Sequence, residues 1–259
     1  VPRVTGVDYN SIGQGYTATR RPDPRIAAAI WRALGDARNV LNVGAGAGAY
    51  EPEDRDVVAV EPSAVMIAQR PPRATKVVQA EAEDLPFDNG SFDAVMAVLS
   101  DHHWRDRPRG FAELRRVARR RVVLFNFDPA ESRLFWLTTE YLPSFVELIP
   151  ERYRTPGVWE SELREAFGDL TLIPVPIPHD CLDGFYGAFW RRPAAFLDAR
   201  VRSGISVFAR LAADDVARGI ERLGADLASG RWRANHPDLL DLPALHLGYY
   251  VAVAELAAE

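Results

Sequence analysis

Apolar runs separated by segments of helical periodicity fill the first half of the chain. Val40, Leu41 and Val43 lead into glycines at 44, 46 and 48, and a second run, 57–60, stops on Glu61. Further runs stand at 76–79, 92–99 and 121–127, and 92–99 is apolar at nearly every position, as a strand covered on both faces should be. Helical patterns lie between them. From Pro24, with Asp23 as cap, Ile26, Ile30, Trp31 and Leu34 form a stripe ending at Gly35. Residues 62–69 continue the pattern, as do 109–119, where Phe111, Leu114 and Val117 share one side. Strand and helix in alternation predict a doubly wound parallel sheet whose ligands lie at the carboxyl ends of its strands.

The second half has a different texture. Residues 132–142 and 158–167 read as helices, and 170–177 as a strand that Pro174 and Pro176 confine to an edge or a bend. Residues 179–240 read as mostly helical, with Val216, Ile220, Leu223 and Leu227 at helical spacing. A last strand falls within 245–256. The polar stretch 1–25, with Tyr9, Tyr16, Arg20 and Arg21, reads as a loop or short helix suited to a lid.

The chemistry gathers where the first two strands end. Glycines at 44, 46 and 48 allow positive φ and let a polar ligand approach backbone N–H groups. Glu61, leaving the second strand, suits a pair of vicinal hydroxyls, so the expected ligand contains a ribose. Gly44, Gly46 and Ala49 also fit a dinucleotide fingerprint. Against a dinucleotide, only about a dozen residues separate Gly48 from the end of the second strand, and Pro52 shortens any helix there.

Composition narrows the field. The 259 residues, 47% hydrophobic, support a full core, and a net charge of −5 gives no basic field for a nucleic-acid backbone. The arginines at 115–121 form a local patch, read as the solvated end of a helix. Cys181 is the one cysteine, which excludes an internal disulfide and makes a reducing compartment the default. No apolar run reaches membrane-spanning length, and the expected setting is cytoplasmic, with neither membrane nor nucleic acid as partner. Only Lys76 among 31 basic residues is a lysine, a bias that points to a GC-rich bacterial source.

The segments at 40–48, 60–63, 81–87, 91–95 and 102–104, in this order and spacing, resemble the class I S-adenosylmethionine-dependent methyltransferases. The similarity is greatest to the small-molecule branch that includes ubiquinone and menaquinone biosynthesis enzymes, and it covers residues 9–128. The resemblance implies a Rossmann-like seven-stranded, mostly parallel sheet whose last strand, from 245–256, inserts antiparallel beside the fifth. It also implies one S-adenosyl-L-methionine-binding domain over 1–259, with a lid at 1–38 and a helical cover at 179–240. Gly44, Ala45 and Gly46 would contact the methionyl part of the cofactor, and Glu61, followed by Pro62, would hold the ribose. Glu81 would accept from the adenine amino group and the Ala82 N–H would meet the ring. The family usually has aspartate there, so Glu83 or Asp84 are alternatives. Ser100 would lie near the sulfonium, and Tyr16 and Arg20 would meet the cofactor carboxylate.

Methyl transfer needs an in-line approach, a dry pocket and, for some acceptors, a base. His102 and His103 follow the fourth strand, where the acceptor should sit, and are the candidate bases. The alternative is that one caps the loop and the other packs on Trp104. His179, Asp180 and Cys181 could line the acceptor pocket, but adjacent ligands have the wrong spacing for a metal, and none is expected. Cys181 reads as a buried structural thiol. Asp128 could orient an acceptor or begin the next loop. The aromatic residues of 135–141 and 185–190 could wall an aromatic acceptor, or simply pack. The expected reaction is methyl transfer to an O, N or C nucleophile of a small molecule. The rivals are a non-methylating or regulatory cofactor-binding protein on the same fold, and an NAD-dependent oxidoreductase.

Overall fold

The computed structural model describes residues 19–72 and 75–256. Helix α1, Pro24–Ala33, opens this part of the chain: the Asp23 carboxylate accepts from the Arg25 N–H at 2.9 Å, and Pro24 supplies the preset φ of a first turn. Ile26, Ala27, Ile30 and Ala33 form its buried stripe. Trp31 is only partly covered, and its indole N–H reaches the Tyr50 carbonyl at 2.7 Å.

The strands follow: β1 Asn39–Val43, β2 Asp56–Val60, β3 Lys76–Val78, β4 Phe92–Val98, β5 Ala118–Phe127, β6 Leu170–Pro174 and β7 Tyr249–Glu255. They form one seven-stranded sheet in the order β3-β2-β1-β4-β5-β7-β6. The first five run parallel, and β7 lies antiparallel between β5 and β6. Side chains alternate across the sheet. Val40, Met96 and Phe125 join one apolar cluster with α1 and the cover; Leu41, Val95 and Leu124 join the other. That second face is closed by α3, Arg107–Val117, and α4, Val158–Phe167, which contribute Phe111, Leu114, Trp159 and Leu163. The short α2, Ala64–Ala68, is capped by the Ser63 hydroxyl.

The expected edge strand ends at Pro174; Ile177–Pro178 leaves the sheet and pairs instead with Ala244–Leu245. The helix expected at 132–142 is broken into the turn Pro129–Ser132 and a wide turn at Leu137–Tyr141. The cover is less helical than its composition suggests. Short turns dominate until α5, Ala213–Ala228, in which Leu223 is fully buried while Val216, Ile220 and Leu227 pack partly exposed.

Strand order reverses between β1 and β4, so their following loops diverge and leave a crevice at the carboxyl edge. The cover closes over that edge: Asp183 on it meets Arg20 and Tyr50, and the Gly187 N–H donates to the Tyr249 hydroxyl at 3.3 Å.

Candidate active site

The β1–β2 connection contains no helix. Gly44, Gly46 and Gly48 all take left-handed φ, at 67°, 52° and 88°, which folds the chain into successive turns. A Cβ on Gly44 would stand 2.6 Å from the Ser100 Cβ, so glycine is required there by space as well as by φ. Ala45 turns back to donate to the Val60 carbonyl at 2.9 Å, which ties the loop to the end of β2.

Glu61 is 6% exposed and sits directly beneath this loop. Its two oxygens accept from the Gly46 N–H at 2.8 Å and the Ser63 N–H at 2.9 Å. Burial pushes its carboxyl pKa up, and the two N–H donors oppose the shift. A carboxylate has about four acceptor positions, so two remain for a diol. Pro62 is exposed beside it, and Gln79 donates to its carbonyl at 2.9 Å.

Among the three acids after β3, Glu83 is engaged, accepting from the Asp106 N–H at 2.9 Å. Glu81 is half exposed, with Arg105 at 3.8 Å, and its charge acts on Glu61. Ala82 is buried. Glu81 thus has a freer carboxylate than Glu83 at this edge.

A support that sequence reasoning missed lies under the glycines. Glu51 and Arg70, 1% and 8% exposed, form an ion pair at 2.6 Å. Arg70 also donates to the Gly46 carbonyl at 3.1 Å, and Asn42 donates to Glu51 at 3.1 Å. With no helix to hold the loop, this pair anchors its floor. The only signal was an acid inside the loop and an arginine just past α2.

The β4 end supplies the opposite wall. Leu99 takes φ 49°, an uncommon left-handed conformation for a branched residue, and turns Ser100 back so that its hydroxyl donates to the Val43 carbonyl at 2.9 Å. The turn Asp101–His103 then brings the two imidazoles together, with ring centroids 3.9 Å apart and their planes tilted by 48°, and places the His102 ring centroid 5.2 Å from that of Phe127. Trp104 packs on Phe111 and against Gly110. Burial, with the charges of Arg107, Arg210 and Arg20, brings the His102 pKa down to about 3. His103 is also held well below the usual range, by burial and by His102. Both rings are neutral near pH 7.

Other expectations resolve more simply. Arg20 directs its fork at the buried Asp183, at 2.7 Å, and Tyr50 donates to the same carboxylate at 2.8 Å. Tyr16 lies outside the described residues. Asp128 caps the following turn through the Ala130 N–H at 2.8 Å, so it begins a loop. Asp180 pairs with Arg25 at 2.7 Å. Cys181 is buried, which pushes its thiol up to about 12. Trp136, Phe185 and Trp190 are buried core, and Trp136 and Trp190 bond backbone carbonyls through their indoles. The arginine patch is compensated: Arg116 pairs with Glu113, Arg119 with Asp93, Arg120 with Asp36 and Arg121 with Glu255. Among the described residues, no cluster of three or more potential ligands could hold a metal, and no helix is long and apolar enough to cross a membrane.

Residues 41–125, the part that builds this crevice, match the methyltransferase domain family. A solved structure from Anabaena variabilis, provisionally named a methyltransferase from an antibiotic biosynthesis pathway, is 34% identical, covers 92% of this chain and 99% of its own, and superposes with a TM-score of 0.83. An uncharacterized methyltransferase of Mycobacterium tuberculosis is 36% identical over 107 residues. That match spans 38% of this chain and 43% of the relative, under half of its length. The YcgJ protein of Bacillus subtilis, 18% identical over 90% of this chain and 97% of its own, shares the fold with a TM-score of 0.52. The chain belongs to the class I S-adenosylmethionine-dependent methyltransferases.

Proposed function

We propose that this protein transfers the methyl group of S-adenosyl-L-methionine to a small-molecule acceptor, with His102 as the acceptor's base. The observation that carries the reading is a single junction: the left-handed Gly44–Gly46 turns, the buried Glu61 beneath them and the Ser100–His102 turn meet at the crevice between β1 and β4. The residues present fit the cofactor. Gly44 and Gly46 take the left-handed turns that bring backbone close to the crevice, and Glu61 keeps two acceptor positions for the ribose hydroxyls. Ala45 and Gly46 would meet the methionyl part, Glu81 and Ala82 the adenine, and Tyr16 with Arg20 the carboxylate side from a lid at 1–38. We read 1–259 as one catalytic unit, with 179–240 as its cover.

When bound, the cofactor supplies an electrophilic methyl carbon on a sulfonium. The chain itself provides position and dryness: the cover packs on the carboxyl edge, and neutral imidazoles wall the acceptor side without adding charge. His103 supports the His102 ring through a tilted ring contact. The absence of a helix after the glycines favours this reading over a nicotinamide dinucleotide, which would rest its pyrophosphate on a helix N-terminus. The compensated arginine patch favours a small molecule over a nucleic acid. The antibiotic-pathway name of the Anabaena relative is in keeping with a small acceptor.

The test uses S-adenosylmethionine carrying an isotope-labelled methyl group, incubated with the protein and a bacterial cell extract. The expected label appears in a low-molecular-mass compound and is absent with Glu61→Ala. Label confined to protein or nucleic acid, or no transfer at all, would refute the reading.

A further inference from the structure

A short stretch of the cover runs against the residues that lead into α1, and the two are paired in reverse order. The Leu182 N–H donates to the Asp23 carboxylate at 3.0 Å, Asp183 pairs with Arg20 at 2.7 Å, and a Cβ on Gly184 would stand 2.4 Å from the Thr19 carbonyl oxygen. No side chain fits between the two segments at that point. Asp183 is the centre of this seam. It is 1% exposed, and its four acceptor positions are all used. One oxygen accepts from Arg20 Nε and from the Gly184 N–H, at 2.7 Å each. The other accepts from the Tyr50 hydroxyl at 2.8 Å and from Arg20 Nη2 at 3.4 Å.

Tyr50 makes this more than a packing seam. It stands two residues after Gly48, takes a left-handed φ of 63° and is 2% exposed. Its neighbour Glu51 pairs with the Arg70 that holds the Gly46 carbonyl. The exit of the glycine loop is therefore tied to Arg70 through Glu51 and to the cover through Tyr50. Arg20 meets the same carboxylate through one edge of its guanidinium, Nε with Nη2. Its place is thus set by the cover and shared with the exit of the loop. An arginine without such an anchor must be ordered by its ligand, which costs the rotamer freedom of a long side chain.

We infer that Asp183 is a positioning residue for the amino-acid end of the cofactor: from the cover, it holds Arg20 and the exit of the glycine loop in the arrangement that receives a carboxylate. The inference rests on the methyltransferase reading, in which Arg20 meets the cofactor carboxylate. Its effect is confined to one end of the ligand. Glu61, Glu81 and Ala82, proposed for the ribose and adenine, follow β2 and β3 and take no part in the hydrogen bonds of Asp183. Affinity should therefore divide: a ligand with the amino-acid end depends on Asp183, and one without it does not.

Calorimetric titration with two thioethers of the same nucleoside reads this division without turnover. S-adenosylhomocysteine carries the carboxylate, and 5′-methylthioadenosine lacks the amino-acid end. Asp183→Asn should weaken S-adenosylhomocysteine by about tenfold, as the ordering of Arg20 falls to the ligand, and change methylthioadenosine by less than about twofold. If Asp183→Asn does not fold, Tyr50→Phe, which keeps the ion pair and removes one donor, should give a split in the same direction of about threefold. Equal losses for both ligands, or none, would reduce Asp183 to a structural residue. Tighter binding of S-adenosylhomocysteine would show that Asp183 competes with the cofactor for Arg20. Each of these results overturns the inference while leaving the methyltransferase reading in place. An unaltered protein that binds neither ligand would refute that reading itself, and the inference falls with it.

Discussion

Removing Glu51 should collapse the glycine loop from below. Its carboxylate is 1% exposed and pairs with an Arg70 guanidinium that is 8% exposed and also holds the Gly46 carbonyl. Glu51→Ala leaves that cation buried without its partner, a change that costs about 3–5 kcal/mol. At about 2–4 °C per kcal/mol for a chain of this size, Tm should fall by roughly 6–20 °C. Two further effects follow from the geometry. Arg70→Met alone should cost a similar amount, since it strands Glu51 beside Asn42. The double variant Glu51→Leu with Arg70→Met should recover much of the stability, because an apolar pair of similar volume replaces both charges. It should not recover cofactor affinity, since Gly46 has lost its tether. Thermal unfolding and calorimetric titration with S-adenosylhomocysteine, run on all variants, separate the two. Single variants with unchanged Tm and affinity would refute the anchoring role.

Gly44→Ala should abolish cofactor binding, because its Cβ meets Ser100 at 2.6 Å and its φ is left-handed; Ser100→Gly added to it should restore binding only in part, as the backbone strain of about 1–2 kcal/mol remains. His102 titrates near 3 in the fold, against about 6.5 in the unfolded chain, so the unfolded state binds more protons between those values and stability rises with pH there. The Tm of the unaltered protein should accordingly drop more steeply from pH 7 to pH 4.5 than that of His102→Phe, and parallel curves would contradict the burial of a neutral ring. Cys181, with its thiol pushed up to about 12, should resist a thiol reagent at pH 8 until the protein is unfolded. Rapid reaction in the native state would show that this segment of the cover opens.

Much of the sheet was legible because its strands are covered on both faces and carry nearly continuous apolar runs. The glycine turns were legible for a related reason: glycine takes a left-handed φ at little steric cost, as Gly44, Gly46 and Gly48 do. The cover was harder. Its turns are held by tertiary bonds, such as Trp136 to the Trp190 carbonyl and Tyr50 to Asp183, which leave no periodicity in the chain. The contact between the two histidine rings escaped for a local reason, since neighbours in a regular strand or helix point apart while the tight turn at Asp101–His103 brings both rings together. Glu51 and Arg70 are ordinary polar residues in sequence, and their role arises only from what the fold buries beside them.

The central claim is that Gly44 to Gly46 and Glu61 cradle an S-adenosyl group. Calorimetric titration of the purified protein with S-adenosylhomocysteine, beside NAD and beside the Glu61→Ala variant, tests it most directly. The account predicts one-to-one binding of S-adenosylhomocysteine alone, weakened in the variant by about 1–3 kcal/mol as the charged hydrogen bonds to the ribose are lost. Binding of NAD instead, or an affinity that Glu61→Ala leaves unchanged, would contradict it.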